Sequence, residues 1–289
     1  MKKILFVMLA LSMCFSLTAL DLSDVNDVKN VLDGYAQGLV DAIPTEVSAD
    51  NLWADAYIGK LISIPPHFAI GVNLGCGLTN NDGILDSLSE LMDMKAISKL
   101  PGAPVPAASF NARMGGIILP FDIGFHGLFA GINSDSTIKG SIDIKSWGID
   151  FRYCIIEQIV VIPAVSVGIG YDVVDVAANM KTETGLVSFD FATKAKLLSG
   201  TAQVSWNLLF FKLFGGVRGL KPLGDGVKAS AVVSSSVSTI PFAYTNSDFS
   251  FQLFGGFGLR MLVVDTTLGV TYDVSKGNAG GSISLRFQL

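Results

Sequence analysis

The stretch HFAIGVNLGCGL, residues 67 to 78, alternates without a break. Phe68, Ile70, Val72, Leu74, Cys76 and Leu78 fall on one face, and His67, Ala69, Gly71, Asn73, Gly75 and Gly77 on the other. Successive side chains of a strand point to opposite sides, so this is a strand whose two faces meet two environments. The same period returns along the chain. Trp147, Ile149, Phe151, Tyr153 and Ile155 alternate with Gly148, Asp150, Arg152 and Cys154. Val165, Val167, Ile169, Tyr171 and Val173 alternate with Ser166, Gly168, Gly170 and Asp172. Val187, Phe189 and Phe191 oppose Ser188, Asp190 and Ala192. Phe249, Phe251, Leu253, Phe257, Leu259 and Met261 oppose Ser250, Gln252, Gly256, Gly258 and Arg260, with Phe254 and Leu262 as exceptions. Val264, Leu268, Val270, Tyr272 and Val274 oppose Asp265, Thr267, Gly269, Thr271 and Asp273, and Ile283, Leu285, Phe287 and Leu289 close the chain against Ser282, Ser284, Arg286 and Gln288.

A soluble β-sandwich or small barrel also alternates, with its apolar side inward. The polar face separates the two cases. A solvated face carries Lys, Glu and Thr, whereas here it is mostly Gly, Ser, Asn and Asp, which suits a cramped interior; the other face is large, aromatic and continuous, which suits lipid. Composition agrees. Half of the residues are apolar, 16% are charged and the mean hydropathy is +0.52, values closer to a membrane protein than to a soluble one. The most apolar stretches, Ile155 to Ile169 and Phe254 to Val264, are broken by Pro163, by glycines or by charges, short of the ~18 apolar residues of a spanning helix. Backbone groups in lipid must then be paired within a closed barrel.

The chain opens with Lys2 and Lys3, an apolar run from Ile4 to Leu17 and small residues near Ala19, the layout of a secretory leader. The expected division is therefore a signal peptide over 1–20, an N-terminal helix and linker over 21–65, and a transmembrane barrel over 66–289. Within the linker Val25, Val28, Val31, Leu32, Tyr35, Leu39 and Ile43 recur at helical spacing, and the helix is predicted to end before Pro44. It serves either as a periplasmic cap on the rim or as a plug in the lumen. A second helical pattern, Ile84, Leu85, Leu88, Leu91 and Met92, lies in the first long loop.

Turn signals divide the remainder into ten strands, read as 66–79, 107–117, 122–131, 140–156, 159–174, 185–206, 210–221, 247–262, 264–274 and 280–289. Short connections near Leu119-Pro120, Glu157-Gln158, Asn207-Leu208 and Val263-Val264 alternate with longer ones at 80–106, 132–139, 175–184 and 222–246. That asymmetry fits short periplasmic turns and long extracellular loops, with both ends of the barrel domain in the periplasm. Twelve strands result if 185–206 hides a hairpin or if Ala229 to Ser238 adds strands.

The leader, the helix before the first strand and the terminal strand Gly281 to Leu289, with Phe287 near its end, resemble bacterial outer-membrane β-barrels. Within that class the helix followed by Pro66 to Leu78 is similar in architecture to FadL-type hydrophobic-substrate channels and to small spirochaete-like outer-membrane proteins. The resemblance implies the cell outer membrane as location, outer-membrane lipid as surroundings and the barrel-assembly machinery as a partner of the C-terminal strand.

Chemistry is sparse. His67 and His126 have no partner at metal-binding or catalytic spacing, and no Gly-x-Ser-x-Gly elbow occurs. Neither an enzyme nor a metal or cofactor site is expected. Gly115-Gly116, Gly215-Gly216 and Gly255-Gly256-Phe257-Gly258 match no phosphate loop, and glycine in a strand marks curvature or crowding. The formal charge of −5 becomes more negative once Lys2 and Lys3 leave with the signal, which speaks against nucleic acid. Cys76 and Cys154 fall on opposite faces and are expected not to form a disulfide.

The inward set is Arg113, Asp150, Arg152, Asp172, Asp190, Lys194, Arg260, Asp265, Asp273 and Arg286. One role is structural, each charge satisfying another in a narrow barrel; the other is a polar passage for a small solute, its selectivity set by fixed charges. Inward glycines leave room, yet a ten-stranded lumen is narrow. The reading is a channel or transport barrel for small or hydrophobic solutes. The alternatives are a closed barrel whose long loops bind partners and a lipid-acting barrel enzyme.

Overall fold

The computed structural model describes residues 25–63, 66–79, 103–135, 138–159, 161–182, 187–235 and 239–289. The leader and the helical pattern Ile84 to Met92 lie outside these residues. One helix, α1 (Val25–Asp50), precedes β1 (Phe68–Thr79), β2 (Ala103–Gly115), β3 (Phe121–Asp135), β4 (Ile138–Ile156), β5 (Ala164–Thr182), β6 (Val187–Leu208), β7 (Phe211–Pro222), β8 (Val227–Ser235), β9 (Thr239–Asn246), β10 (Ser250–Met261), β11 (Val264–Asp273) and β12 (Ala279–Gln288). No described helix is long and apolar enough to cross a membrane.

All pairings are antiparallel. Ten strands close a ring in the order β1 to β7, then β10, β11 and β12, and β12 returns to β1 with Ala69 opposite Gln288 and Leu78 opposite Ala279. Closure leaves the ring without an edge, so the inter-strand hydrogen bonds are satisfied within the wall. All ten strands read from the sequence are in the ring. The other two form a hairpin outside it. β6 is long enough to serve two partners: Leu197 to Leu208 pair with β7, while Val187 to Lys194 pair with β8. Five residues join β2 to β3, and only Leu209-Phe210 and Leu262-Val263 separate the strands of two other hairpins; this is the turn end, and the opposite end is the loop end.

The helix passes through Pro44 and stops at Asp50 rather than before the proline. Proline removes one helical hydrogen bond and costs about 3 kcal/mol. The helix continues because Val40, Ala42, Ile43, Val47 and Ala49 are all buried inside the ring, and each large apolar side chain so buried contributes about 1.5–3 kcal/mol. The chain descends as it runs. Asp41 meets Lys276 and Asn278 at the loop end, Ala49 and Asp50 meet Asn73 midway along β1, and Asp55 meets Asn207 and Gln288 at the turn end.

A recurring tetrapeptide makes the ring fit this segment. Leu213-Phe214-Gly215-Gly216 and Leu253-Phe254-Gly255-Gly256 lie antiparallel, so that Phe214 stands opposite Gly256 and Phe254 opposite Gly216. A Cβ on Gly216 would come within 2.6 Å of the Phe254 ring, and one on Gly256 within 2.9 Å of the Phe214 ring. The two rings turn inward against Leu52 and Ala54. Phe254, an exception to alternation by chemistry, keeps the alternation by direction.

Two levels of the wall obey opposite rules. In the lower part of β4, β5 and β6 the exposed outward residues are apolar: Ile149, Phe151 and Tyr153, then Val167 and Ile169, then Leu198, Val204, Trp206 and Leu208. Inward stand Arg152, Ser166, Asp172, Gln203 and Ser205. Towards the loop end the parity continues but the chemistry reverses. Val174, Ala178, Phe191, Ala195 and Leu197 are now the buried inward residues, whereas Asp143, Lys145, Ala177, Asp190, Lys194 and Lys196 are outward and exposed. Trp147 packs edge-on against Tyr171 where the two levels meet. Polar-out and apolar-in is the rule of a wall standing in water, and the reverse that of a wall standing in lipid.

Candidate functional site

The ring encloses residues 40–58, and the enclosure is built on Trp53. Its indole is met by two guanidinium groups, Arg286 at 4.0 Å from the ring centroid and Arg113 at 4.7 Å, an arrangement worth more away from water than in it. The indole N–H donates to Asn51 Oδ1 at 3.0 Å. Arg286 also donates to the Leu52 carbonyl, to Asn111 at 3.1 Å and to Thr267 at 3.2 Å.

Below Trp53, Asp122 is fully buried and gathers donors from three elements. Arg152 reaches it through Nε at 2.8 Å and Nη2 at 2.9 Å, Arg113 pairs with it from β2, and the Ile58 amide donates at 3.3 Å. Arg113 also donates to Asp150 at 2.6 Å, and Arg152 to the Asp55 carbonyl at 2.8 Å and to Gln203 at 3.1 Å. Gln203 in turn donates to the Trp53 carbonyl at 2.6 Å. On the opposite wall Lys212 is shared by Asp55, at 2.6 Å, and Asp265. Asp55 accepts further bonds from Gln288 at 2.8 Å and Asn207 at 3.1 Å.

Higher up, Arg218 donates to the carbonyls of Ser48 and Asn51 at 3.2 and 3.1 Å. A cation there satisfies orphan carbonyls at the end of α1 and complements the helix dipole. His126 Nε2 lies 2.9 Å from Asp172. The void left beside Asn51, Trp53, Arg113, Asp150 and Arg218 is about 20 Å³, room for a single water. Glycine makes the fit possible on the wall: a Cβ on Gly124 would come within 2.5 Å of both Arg113 and Asp150. The inward glycines therefore make space for neighbouring long side chains.

Of the ten inward charges expected from the sequence, Arg113, Asp150, Arg152, Asp172, Asp265 and Arg286 stand in this network. Asp273 is buried at the loop-end rim, where it accepts bonds from the Ser250 hydroxyl at 2.5 Å and the Ser275 amide at 2.8 Å. Arg260 is at the turn-end rim, donating to the carbonyls of Leu262 and Gln288. Asp190 and Lys194 require correction. Both point outward into the polar upper level, Asp190 beside Asn179 and Lys194 3.6 Å from Asp175, because there the outer face meets water and the polar side chains belong to it. Asp122, Lys212 and Arg218 were missed although each lies in step with inward neighbours, and period two extended along β3 and β7 finds them. Trp53 and Asp55 carry no periodic signal at all. Cys76 is on the outward face and Cys154 on the inward, and no disulfide joins them.

A closed ten-stranded ring, polar within and banded outside by exposed Ile, Leu, Val and Phe, decides the class. The chain is an outer-membrane β-barrel. Its place is the bacterial outer membrane, where barrels of this kind set short turns towards the periplasm and longer loops outside. No family model and no curated protein matches the sequence. Among solved structures it is similar to the outer-membrane protease OmpT of Escherichia coli, at 9% identity over 78% of this chain and 97% of that one with a TM-score of 0.42. It is also similar to the translocator domain of the autotransporter NalP of Neisseria meningitidis, at 10% identity over 91% and 98% with a TM-score of 0.36. The Ralstonia pickettii toluene transporter TbuX aligns at 9% identity over 77% and 89% with a TM-score of 0.28. These likenesses concern the fold.

Proposed function

We propose that this barrel is closed in its resting form and serves to hold a binding surface outside the cell, without catalysing a reaction. The observation that carries the reading is the lumen filled by residues 40–58: Trp53 and Asp55 are 3% exposed, and the void beside Trp53 is about 20 Å³. A passage for a small or hydrophobic solute requires residues 40–58 to leave, which breaks the bonds of Arg152 to the Asp55 carbonyl, of Lys212 to the Asp55 carboxylate and of Arg286 to the Leu52 carbonyl. Above the membrane, β3 to β6 continue upward and β8 and β9 extend them into one sheet, the surface that the described residues offer to a partner. Its outward face carries Lys145, Asp175, Lys194 and Lys228 in one row of the register. Lys228 holds the carboxyl of Asp225 below the usual carboxylate range by hydrogen bonding and charge.

The test is conductance of the purified full chain in a planar lipid bilayer. A closed barrel gives no unitary steps above the lipid background. Steady steps from the full chain, with reversal of Asp150 or Arg152 shifting ion preference, would return the solute-channel reading.

A further inference from the structure

We infer that the chain is threaded through its own barrel from outside to inside, so that the first turns of α1 lie at the cell surface and not in the periplasm. The direction follows from partners along the segment. At the extracellular rim Gln37 hydrogen-bonds to Tyr244 of β9, Asp41 pairs with Lys276 at 2.7 Å in the β11–β12 connection, and the Asp41 carbonyl accepts from Asn278 at 2.8 Å. Asn246, at the end of β9, also donates to Asp41. Thr45 and Glu46 lie beside Gly280 and Gly77, Asp50 beside Asn73, and Leu52 beside Arg286. Asp55 then reaches Gln288, the Ile58 amide Asp122, and the Leu61 amide the Gly116 carbonyl in the β2–β3 turn. His67 ends the descent 3.1 Å from the Leu289 carbonyl at the periplasmic rim. Each partner stands lower on the wall than the one before.

The helix does not stop at the rim. At about 1.5 Å per residue, the part of α1 before Asp41 is long enough to reach roughly 24 Å beyond it, and it lies against β8 and β9, the hairpin outside the ring. A cap on the periplasmic rim would run the other way, with its first residues beside the turns. The arrangement also gives the hairpin a purpose: it lines the helix where the ring no longer surrounds it. The barrel thereby displays the start of α1, and the surface presented outside comprises those turns together with β8 and β9. This inference concerns direction and is independent of whether the barrel conducts.

The experiment is a membrane-impermeant maleimide applied to intact cells carrying Gln37→Cys, an exposed position of α1. Asp225→Cys serves as an extracellular reference, Glu157→Cys as a periplasmic one and the unmodified chain as background. Labelling of Gln37→Cys in intact cells at the level of Asp225→Cys is the expected result. Labelling only after the outer membrane is permeabilised, in step with Glu157→Cys, overturns the inference, and so does an absence of labelling in both states. A second readout uses the double variant Glu46→Cys, Gly77→Cys, in which a Cβ at position 77 lies 3.6 Å from that of Glu46, within disulfide reach. Its oxidation to an intramolecular bridge in the assembled protein is expected, and failure to bridge in a correctly inserted barrel also counts against threading.

Discussion

Asp122 shows how a single inward residue can hold two strands and the threaded segment together, because its two oxygens serve Arg113, Arg152 and the Ile58 amide with no water between. Removing one member of a buried charged cluster leaves its partners uncompensated, at about 3–5 kcal/mol. Asp122→Ala is expected to lower the urea midpoint of folding into lipid vesicles by that order, with the loss shared by Arg152→Ala rather than additive to it. Lys194→Ala is the counterpart. Its pair with Asp175 is solvated on the outer face, so the change is expected to be under about 1 kcal/mol. Gly256 tests packing instead of charge: Gly256→Ala is expected to destabilise the barrel, since the added carbon meets the Leu268 carbonyl and the Phe214 ring together. At this scale the sequence was legible for Asp150 and Arg152, which alternate with Ile149, Phe151 and Tyr153. It was misleading for Asp190 and Lys194, since polarity marks the lumen only where the outside is lipid.

Within one strand, β5 crosses the boundary between lipid and water without changing its parity. Outward Ile169 is 65% exposed in the apolar band, and outward Ala177 is exposed above it. Ile169→Arg is expected to cost about 2–4 kcal/mol of insertion free energy near the midplane. Ala177→Arg is expected to stay within about 0.5 kcal/mol of the parent. Equal effects would contradict the placement of the boundary at Trp147 and Tyr171. The hairpin β8–β9 contributes no strand to the ring, so replacing 227–246 with a short turn is expected to preserve the far-UV circular dichroism of a β-barrel and the heat-modifiable migration of the folded form. Pro44 read as a helix stop because only local hydrogen bonding was weighed; burial of Val40 to Ala49 within the ring outweighed it.

As a whole the molecule is a wall that lipid surrounds and a filling supplied by the same chain. It is expected to fractionate with outer membranes and to need detergent for monodispersity, because the outward band is far larger than the apolar patches that soluble proteins leave in water. A monodisperse detergent-free solution of the native chain would contradict that. The filling is held by the guanidinium groups of Arg113 and Arg286 over Trp53, and Trp53→Ala is expected to loosen it without opening the ring. The readout is faster hydrogen exchange of amides in 45–58, with exchange in β10 to β12 unchanged.

Period-two alternation, the length asymmetry of the connections and the absence of a spanning apolar run were enough by themselves to specify a membrane barrel, because each strand meets lipid on one side at every second residue and must record that in its own composition; the choice between ten strands and twelve fell to the pairing, which puts ten in the ring and two outside it. Which charge faces which could not be read in this way. The partners of Asp55 lie more than 150 residues away, at Asn207, Lys212 and Gln288, and only closure of the ring brings them to one point. The direction of the helix was likewise open, since an amphipathic pattern is the same for a cap and for a threaded segment. The tertiary structure decided it through Asp41 at one rim and Asp55 at the other, two carboxylates whose counter-charges stand at opposite ends of the barrel.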